Sequence, residues 1–528
     1  MNSHFLRPLL RLVSCLALLA WTETASAQNP FLPLWEFIPD GEPYVFEDPD
    51  SPGHYRVYVY GSHDMLQTAY CGLDQVVWSA PVEDLSQWRC DGVIFESKTD
   101  AKGRLLRDDG TGDVLYAPDV AVATDAKGKK TYYLYPNNQA GGRQGMVAKS
   151  SRPDGPFTVC NWSKANPQET DGVLRFDPAV FVDDDGRVYG YWGFRQSFGA
   201  ELDPATMATV KPGTEIVTDM VSSLEQEGPF RFFEASSIRK IKDKYVFIYS
   251  RWTEEGEFGL KGTNYTLAYA YSNSPLGPFT YGGTIIDGRG RDVDEQGNAI
   301  FTATPTGNTH GSICEVNGQW YVFYHRQCGT DEFSRQAMVA PITVQVTEGP
   351  QGKVVISEGE YTSEGFLTEG LDPLRRYSAG IACYYTGPKG ASNDYPKFLF
   401  SGSYPQPRFA PLTSHNPVVN NTSGSVVGFK YFNFDRLAAV SSPVLQLQVV
   451  PQGISGRIDV MADSPYSKGQ LLGSVNLNAG MAHELTTLTV DMAAAKQLKG
   501  KHALYLRFTS DTPDRSLCEL HYLQFTKQ

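Results

Sequence analysis

The sequence predicts an all-β protein: a five-bladed β-propeller followed by a β-sandwich of jelly-roll type. Three observations support this. A tyrosine-rich strand pattern recurs five times before residue 342, period-two alternation continues to the C-terminus, and helical 3.6-residue periodicity is hard to find. We expect the propeller over residues 28–342, a connecting segment over 343–374 and the sandwich over 375–528.

The N-terminus reads as a signal peptide over residues 1–27. Arg7 and Arg11 precede a short apolar run, and an A-x-A cleavage site ends at Ala27. The run is too short to span a membrane. We therefore expect export to the periplasm or the medium without a membrane span; lipoprotein anchoring through Cys15 is the less favoured alternative.

The propeller prediction rests on the five repeats. Each repeat contains a strand that ends in one of these tyrosines: Tyr60, Tyr135, Tyr191, Tyr249 and Tyr324. The intervals of 75, 56, 58 and 75 residues fit blades of several short strands. A single polar residue stands 14 to 20 positions before each tyrosine: Asp40, Asp119, Asp177, Glu234 and His310. A radial arrangement would gather these five side chains at one centre.

Four carboxylates and a histidine around an axis predict a catalytic site. Cleavage of a glycosidic bond needs an acid to protonate the leaving oxygen and a carboxylate opposite it. A third carboxylate nearby keeps the acid protonated by like-charge repulsion. The net charge of −13 argues against a nucleic-acid partner, and the 29 Tyr, 28 Phe and 8 Trp suit sugar binding.

Several motifs, in order and spacing, carry a resemblance to a known family. They are N-P-F-L-P with I-P-D-G-E-P, V-V-W-S-A-P-V-E-D-L-S-Q-W, Y-A-P-D-V, F-D-P-A-V-F-V-D-D-D-G, F-E-A-S-S-I-R-K-I and H-G-S-I-C-E-V-N-G-Q-W-Y-V-F-Y-H-R. From Asn29 to Ile342 the chain resembles glycoside hydrolase family 43. The resemblance implies a five-bladed propeller and inversion at the anomeric carbon.

The resemblance also implies roles for five residues. Asp40 matches the general base, Asp177 the aspartate that tunes the pKa of the acid, and Glu234 the general acid. His310 matches a histidine that in many members helps to hold an axial metal ion, often Ca²⁺, through water. Arg335 matches an arginine that contacts the sugar. No organic cofactor is expected.

Three acidic positions compete with these assignments. We assign Asp119 a structural or cavity-wall role, although it shares the repeat position. Glu227 in E-G-P-F is a decoy for the acid, because it lies 22 residues before Tyr249, whereas Glu234 lies 15 before it. The D-D-D-G run that begins at Asp183 is a hairpin turn rather than a calcium loop.

Aromatic residues near the catalytic segments are candidates for sugar stacking. Trp35, Phe194 and Trp252 fit either this function or the core. If the roles are right, the acid and base carboxyls should stand roughly 6.5–9.5 Å apart, as inversion requires.

The C-terminal region resembles carbohydrate-binding module family 6 in G-R-I-D-V-M-A-D-S-P, L-L-G-S-V and H-Y-L-Q-F. Binders of that family usually place a tryptophan before the strand that here reads L-T-T-L-T-V, whereas this chain has M-A-H-E. The calcium segment of such modules is also absent. We therefore favour a packing role over sugar binding. The seven cysteines after residue 27 show no C-x-x-C metal signature. The sequence allows one or two disulfides among them and does not indicate the pairing.

We therefore expect an inverting, exo-acting glycoside hydrolase on an arabinose-, xylose- or galactose-containing glycan. α-L-Arabinofuranosidase is favoured, with β-xylosidase and galactan- or galactofuranoside-cleaving activities as alternatives. Rivals from other classes are a non-catalytic sugar-binding propeller and a retaining propeller enzyme of the fructan-cleaving or sialidase type, whose N-D-P-N-G-like start or arginine triad this chain lacks. The sequence leaves the oligomeric state open.

Overall fold

The computed structural model describes residues 27–65, 69–108, 112–303, 307–328, 332–388, 404–409, 413 and 415–528. The predicted signal peptide, up to residue 26 and including Cys15, lies outside these residues. Within them the structure is all-β, as predicted, and no helix is long and apolar enough to cross a membrane. Five short 3-10 helices interrupt the strands at Gly141–Arg143, Glu257–Gly259, Ala379–Ile381, Phe434–Leu437 and Ala493–Gln497.

The described part of residues 42–342 contains, in chain order, five antiparallel sheets of three or four strands and one two-stranded hairpin. The first is β1 (Glu42–Glu47), β2 (Tyr55–Tyr60), β3 (Asp74–Pro81) and β4 (Arg89–Glu96). The second is β5 (Asp119–Thr124), β6 (Lys130–Tyr135), β7 (Ala148–Ser150) and β8 (Thr158–Val159). The third is β9 (Ala179–Val182), β10 (Val188–Trp192), β11 (Phe198–Leu202) and β12 (Val217–Thr218). The fourth is β13 (Phe232–Ile241), β14 (Lys244–Arg251), β15 (Thr266–Ser272) and β16 (Thr280–Asp287). A hairpin of β17 (Arg291–Val293) and β18 (Ala299–Phe301) precedes the fifth, β19 (Ser312–Val316), β20 (Gln319–Gln327) and β21 (Arg335–Ile342).

The repeats predicted from the sequence coincide with these sheets. Each tyrosine-rich pattern is the second strand of a sheet, and each predicted polar residue lies at or just before the first strand. First strands contact one another in the pairs β5–β9, β9–β13, β13–β19 and β19–β1. A hydrogen bond links β1 to β5, where the Tyr44 hydroxyl donates to Oδ1 of Asp119 at 2.6 Å.

The following segment packs against the fourth and fifth sheets. It contains β22 (Val344–Val346) and β23 (Val354–Ile356). Val354 and Ile356 are buried in one apolar cluster with Val246 of β14 and Val322 of β20. Burial of these side chains ties the segment to the preceding sheets.

Two further sheets form the C-terminal region. The strands not yet given are β24 (Tyr377–Ser378), β25 (Tyr384–Thr386), β26 (Gln406–Pro407), β27 (Val418–Val419), β28 (Val426–Asn433), β29 (Pro443–Pro451), β30 (Gly456–Ala462), β31 (Gln470–Leu477), β32 (Thr486–Asp491), β33 (Lys501–Ser510) and β34 (Cys518–Lys527). One sheet has the order β26-β27-β34-β29-β32 with β24 beside β34, and the other has the order β25-β28-β33-β30-β31. Buried side chains of both, such as Leu447 and Leu506, share a single cluster.

The β17–β18 hairpin joins the two regions. Ile300 of β18 is buried in a cluster with Tyr384 and Tyr505 of the C-terminal sheets. Nearby, Nζ of Lys430 lies 2.9 Å from Oδ2 of Asp292. The hairpin belongs to a long loop whose conformation the sequence did not predict.

Two smaller predictions concern turns and disulfides. The D-D-D-G run is the turn between β9 and β10, and Oδ1 of Asp183 accepts from Nζ of Lys240 at 2.5 Å. Among the described residues all seven cysteines are free thiols.

Candidate active site

A pocket opens where the first strands of the five sheets begin. Its volume is about 160 Å³. Its walls include four of the five polar residues predicted from the repeats, together with Arg335: Asp40, Asp177, Glu234, His310 and Arg335. The remaining wall residues are Tyr70, Cys71, Tyr116, Ala117, Gln139, Phe176 and Asn308. The repeat pattern thus predicted which side chains meet.

Asp119 is the fifth repeat position, and it lies outside the pocket wall. Its Oδ1 accepts from the Tyr44 hydroxyl at 2.6 Å, and its Oδ2 accepts from the Val180 amide at 2.6 Å. Burial, with the charge of Glu42, raises the pKa of Asp119 to about 7. Its bonds to β1 and β9 agree with the structural role expected from the sequence.

Asp40 sits in a left-handed backbone conformation, with φ of 59°, just before β1. Aspartate tolerates this conformation, and such strain occurs at functional sites. Its Oδ2 accepts from the Ser62 hydroxyl at 2.6 Å. Burial would raise the pKa of Asp40, but the charge of Arg335, together with the hydrogen bond from Ser62, holds it below the usual value. The carboxyl is therefore ionised at neutral pH.

Arg335 differs from the expectation of a sugar-contacting arginine. It lines the pocket, but it is only 1% exposed, and its donors face protein carboxylates. Nη1 donates to Oδ1 of Asp40 at 2.8 Å, while Nε and Nη2 donate to Asp64 at 2.9 Å each. The guanidinium thus forms hydrogen bonds with both Asp40 and Asp64 and places a positive charge beside the predicted base.

Asp177, two residues before β9 begins, also has a positive φ, 42°. Its Oδ1 accepts from Nδ2 of Asn137 at 2.9 Å, and its Oδ2 accepts from the backbone amide of Ala235 at 3.2 Å. Burial raises the pKa of Asp177, since the opposing effect of His310 is smaller. The bond to Ala235 ties Asp177 to the residue that follows Glu234.

Glu234 lies on β13 at an irregularity in the pairing with β14, where the register shifts on both sides of it. A bulge of this kind redirects a side chain. Burial raises the pKa of Glu234 well above its usual value, and the charges of Asp177 and Asp40 raise it further. Among the described residues no hydrogen bond holds its carboxyl, which leaves it available to a ligand. The decoy Glu227 is exposed and outside the pocket wall.

Two histidines lie beside the carboxylates. Nδ1 of His310 is 3.7 Å from Oδ2 of Asp177, and its buried Nε2 has no partner among the described residues. His325, which sequence reasoning missed, accepts the backbone N–H of Asp40 at Nδ1, and its Nε2 lies 2.9 Å from the Asn308 carbonyl. Burial lowers the pKa of His325 to about 3, so the ring is neutral.

No three His, Cys, Asp or Glu side chains among the described residues come together as a metal cage. The unpartnered Nε2 of His310 fits a group reached through one water, as the sequence expectation requires. Ca²⁺ prefers oxygen ligands, so water rather than protein would form most of its shell here.

The three aromatic residues that the sequence offered for sugar stacking differ in where they pack. Trp35 packs against Trp78, with ring centroids 6.2 Å apart, and lies outside the pocket wall, so the core alternative holds for it. Phe194 is 47% exposed and lies 5.0 Å from the ring of Phe176, which lines the pocket. Trp252 joins the same group of rings through Phe233, 5.1 Å away.

Asp64, Asn137 and His325 are among the residues around the site that the sequence did not single out. The first two follow the second strands β2 and β6 by a few positions, and His325 directly follows Tyr324. A search of the ends of those second strands would have found all three.

Three carboxyls in one small pocket, with pKa values pushed apart, define an acid/base glycoside hydrolase. The chain belongs to the glycosyl hydrolases family 43, whose family model matches residues 58–348. A "Xylosidase/arabinosidase" of Thermoclostridium stercorarium is 34% identical over 460 residues, which cover 79% of this chain and 85% of the relative. An "Arabinoxylan arabinofuranohydrolase" of Bacillus subtilis (strain 168) is 26% identical over 509 residues, covering 90% of this chain and 89% of the relative. A solved structure of a family 43 arabinoxylan arabinofuranohydrolase from Bacillus subtilis, in complex with cellotetraose, aligns over 96% of this chain and 98% of its own at 22% identity with a TM-score of 0.46.

Proposed function

We propose that this glycoside hydrolase is an inverting, exo-acting α-L-arabinofuranosidase that removes side chains from a plant polysaccharide such as arabinoxylan. The main observation behind this proposal is that one pocket lowers the pKa of Asp40 and raises the pKa of Glu234. The names of the two relatives support arabinose as the sugar. A cavity of about 160 Å³, smaller than the usual drug-sized pocket, suits a single sugar ring and hence exo action.

In the proposed mechanism Asp40 accepts a proton from the water that attacks the anomeric carbon. Arg335 and Ser62 keep the Asp40 carboxylate ionised and oriented. Glu234 protonates the leaving oxygen from the opposite side of the sugar, and the neighbouring Asp177 keeps Glu234 protonated until that step. Water thus replaces the leaving group with inversion.

β-Xylosidase activity is the second candidate, because the Thermoclostridium stercorarium relative is named for both sugars. Furanose and xylopyranose rings are of similar size, so a pocket of this volume fits either ring. A "Beta-D-galactofuranosidase xynD" of Aspergillus niger, 24% identical over 354 residues, keeps galactofuranosides as a third substrate class.

We also propose that the five sheets close as a propeller around the pocket and that the two C-terminal sheets form a sandwich that acts in packing. The contacts between first strands and the Tyr44–Asp119 hydrogen bond support closure. The shared cluster of the C-terminal sheets and the covering hairpin support the packing role. The boundaries 28–342, 343–374 and 375–528 remain our proposed domains.

Export after cleavage of residues 1–27 is a further proposal, tested by N-terminal sequencing of the secreted protein. For Ca²⁺ we propose a site held by His310 through water. When bound, the ion would supply positive charge near Asp177. Chelation should lower the melting temperature, and a melting temperature unchanged by chelation and by added Ca²⁺ would refute the site.

The test of the function compares p-nitrophenyl α-L-arabinofuranoside with p-nitrophenyl β-D-xyloside. We expect release mainly from the arabinofuranoside, slower release in Glu234→Gln, and nearly full release in the matched exposed control Glu227→Gln. NMR of the first product on an arabinoxylan oligosaccharide should show the inverted anomer. Full activity of Glu234→Gln, or a retained anomer, would overturn the proposal.

A further inference from the structure

A row of aromatic rings leads away from the pocket. It consists of Phe176, Phe194, Phe233 and Trp252, which we call the aromatic row. The ring centroids lie 5.0 Å apart for the first pair and 5.1 Å apart for each of the next two. Phe176 lines the pocket, Phe194 is 47% exposed, and the other rings are half-buried. The row is therefore an apolar surface that is continuous with the catalytic pocket.

The backbone fixes this surface in place. The Gly193 amide donates to the Phe176 carbonyl at 3.0 Å, and the Arg195 amide donates to the Phe233 carbonyl at 2.6 Å. These two bonds bracket Phe194, so the exposed ring is held between its neighbours. A surface fixed before binding loses little entropy when a ligand stacks on it.

The position of the row indicates which part of the substrate it meets. Phe233 directly precedes Glu234, and Phe176 directly precedes Asp177. In the proposed function Glu234 protonates the leaving oxygen, so the leaving group departs on the side of Glu234. The row begins at Phe176, in the pocket wall that also contains Glu234, and its third ring, Phe233, directly precedes Glu234 in the chain.

The rim of the row is polar. Arg195 forms an ion pair with Glu225, and Nη1 of Arg231 lies 3.4 Å from Oε1 of Glu254. Nε of Arg231 also donates to the carbonyl of Trp252 at 2.8 Å. Charged and hydrogen-bonding groups beside exposed rings are what a sugar chain requires, since its ring faces carry C–H groups and its edges carry hydroxyls.

We propose that the aromatic row binds the leaving part of the substrate, a backbone of β-linked pyranose residues such as xylan. This inference rests on the proposed function, because it uses Glu234 as the acid. The pocket holds the single sugar that is released, and the exposed parts of these mutually tilted rings contact the residues of the backbone. The aromatic row then selects for a polymeric substrate, and the pocket selects which sugar is released from that polymer.

The first test is binding, in the Glu234→Gln background so that no turnover occurs. Calorimetry with xylotetraose should show an affinity that falls about tenfold when Phe194→Ala and Trp252→Ala are combined. Tyr55→Ala is the matched control, because Tyr55 is 46% exposed and pairs with the end of β1 away from Asp40. The control should bind xylotetraose as tightly as the parent. Equal affinities in all three proteins, with melting temperatures unchanged, would overturn the proposal.

The second test is turnover. In the otherwise native enzyme, kcat/KM on arabinoxylan should fall at least several times more in the double variant than kcat/KM on the p-nitrophenyl substrate. Equal losses on both substrates would overturn the row as a backbone site while leaving the proposed function intact. Absence of turnover by the native enzyme would instead refute the proposed function, and the xylotetraose measurement would still decide the row.

Discussion

Arg335 donates from Nη1 to Oδ1 of Asp40 at 2.8 Å in a position where the arginine is only 1% exposed. Asp64 accepts two hydrogen bonds of 2.9 Å from Nε and Nη2 of the same guanidinium. Burial raises the pKa of Asp64, but its pair with Arg335 opposes this effect. Because Asp64 fixes the plane of the guanidinium, Asp40 faces a positive charge that does not move.

Replacing this arginine should move the pH profile. In Arg335→Gln the pKa of Asp40 should rise, because burial then acts without the main opposing charge. The base ionises only above its pKa, so the acidic limb of kcat/KM should shift to higher pH. The variant should also lose about 3–5 kcal/mol of unfolding free energy, because two buried carboxyls lose their partner.

Arg326→Gln is the control for this variant. Arg326 is also fully buried, but it donates to the carbonyls of Gly380 and Ala382 and to the side chain of Gln336. Arg326→Gln should therefore destabilise the protein without moving the acidic limb of kcat/KM. An acidic limb that stays in place in Arg335→Gln would contradict the electrostatic role of Arg335.

The alkaline limb should depend on Asp177. The charge of Asp177 raises the pKa of Glu234, second only to burial. In Asp177→Asn that charge is gone, so the pKa of Glu234 should fall. The acid must be protonated to act, and the alkaline limb of kcat/KM should therefore move to lower pH. Initial rates across pH, measured at substrate concentrations far below KM, give this limb directly. A shift to higher pH, or none, would refute Asp177 as the group that tunes Glu234.

The proposed acid should matter most for poor leaving groups. In Glu234→Gln the rate on an arabinoxylan oligosaccharide should fall by about 10²–10⁴-fold, because a sugar alkoxide cannot depart unprotonated. The loss should be smaller on p-nitrophenyl arabinofuranoside, whose phenolate leaves without full protonation. Steady-state kcat on the two substrates provides the comparison. Equal losses on both would contradict the role of Glu234 as acid.

The sequence predicted the side chains that open the first strands, because each lies at an offset of 14 to 20 residues before the last tyrosine of a tyrosine-rich strand. Asp40, Asp177, Glu234 and His310 share this offset and meet in the pocket. Asp119 shares it too, yet it lies outside the pocket wall, where its carboxyl bonds to β1 and β9. The repeat position therefore predicts most of the side chains that meet in the pocket but not which partner each side chain takes.

Other features depend on tertiary packing that no short motif encodes. Asp64 acquires its role only because Arg335, 271 residues later in the chain, folds against it. Trp35 is close to Asp40 in sequence but packs on Trp78, since local proximity does not fix the side to which a ring points. The β17–β18 hairpin likewise owes its place to apolar residues of the C-terminal sheets.

That hairpin supports a last prediction, on stability. Ile300 is 5% exposed and packs with Tyr384, Val426 and Tyr505. Ile300→Ala should lower the unfolding free energy by about 2–4 kcal/mol, because it leaves a cavity between the hairpin and the C-terminal sheets. Val355→Ala is the control, since Val355 is 56% exposed on β23 and the same kind of truncation there leaves no cavity. Denaturant titration followed by tryptophan fluorescence and by circular dichroism measures both.

If the hairpin couples the two regions, Ile300→Ala should also separate a single unfolding transition into two, because each region then loses part of the stabilisation that the other provides. A stability change as small as that of Val355→Ala would mean that the contact contributes nothing to the joining of the two regions.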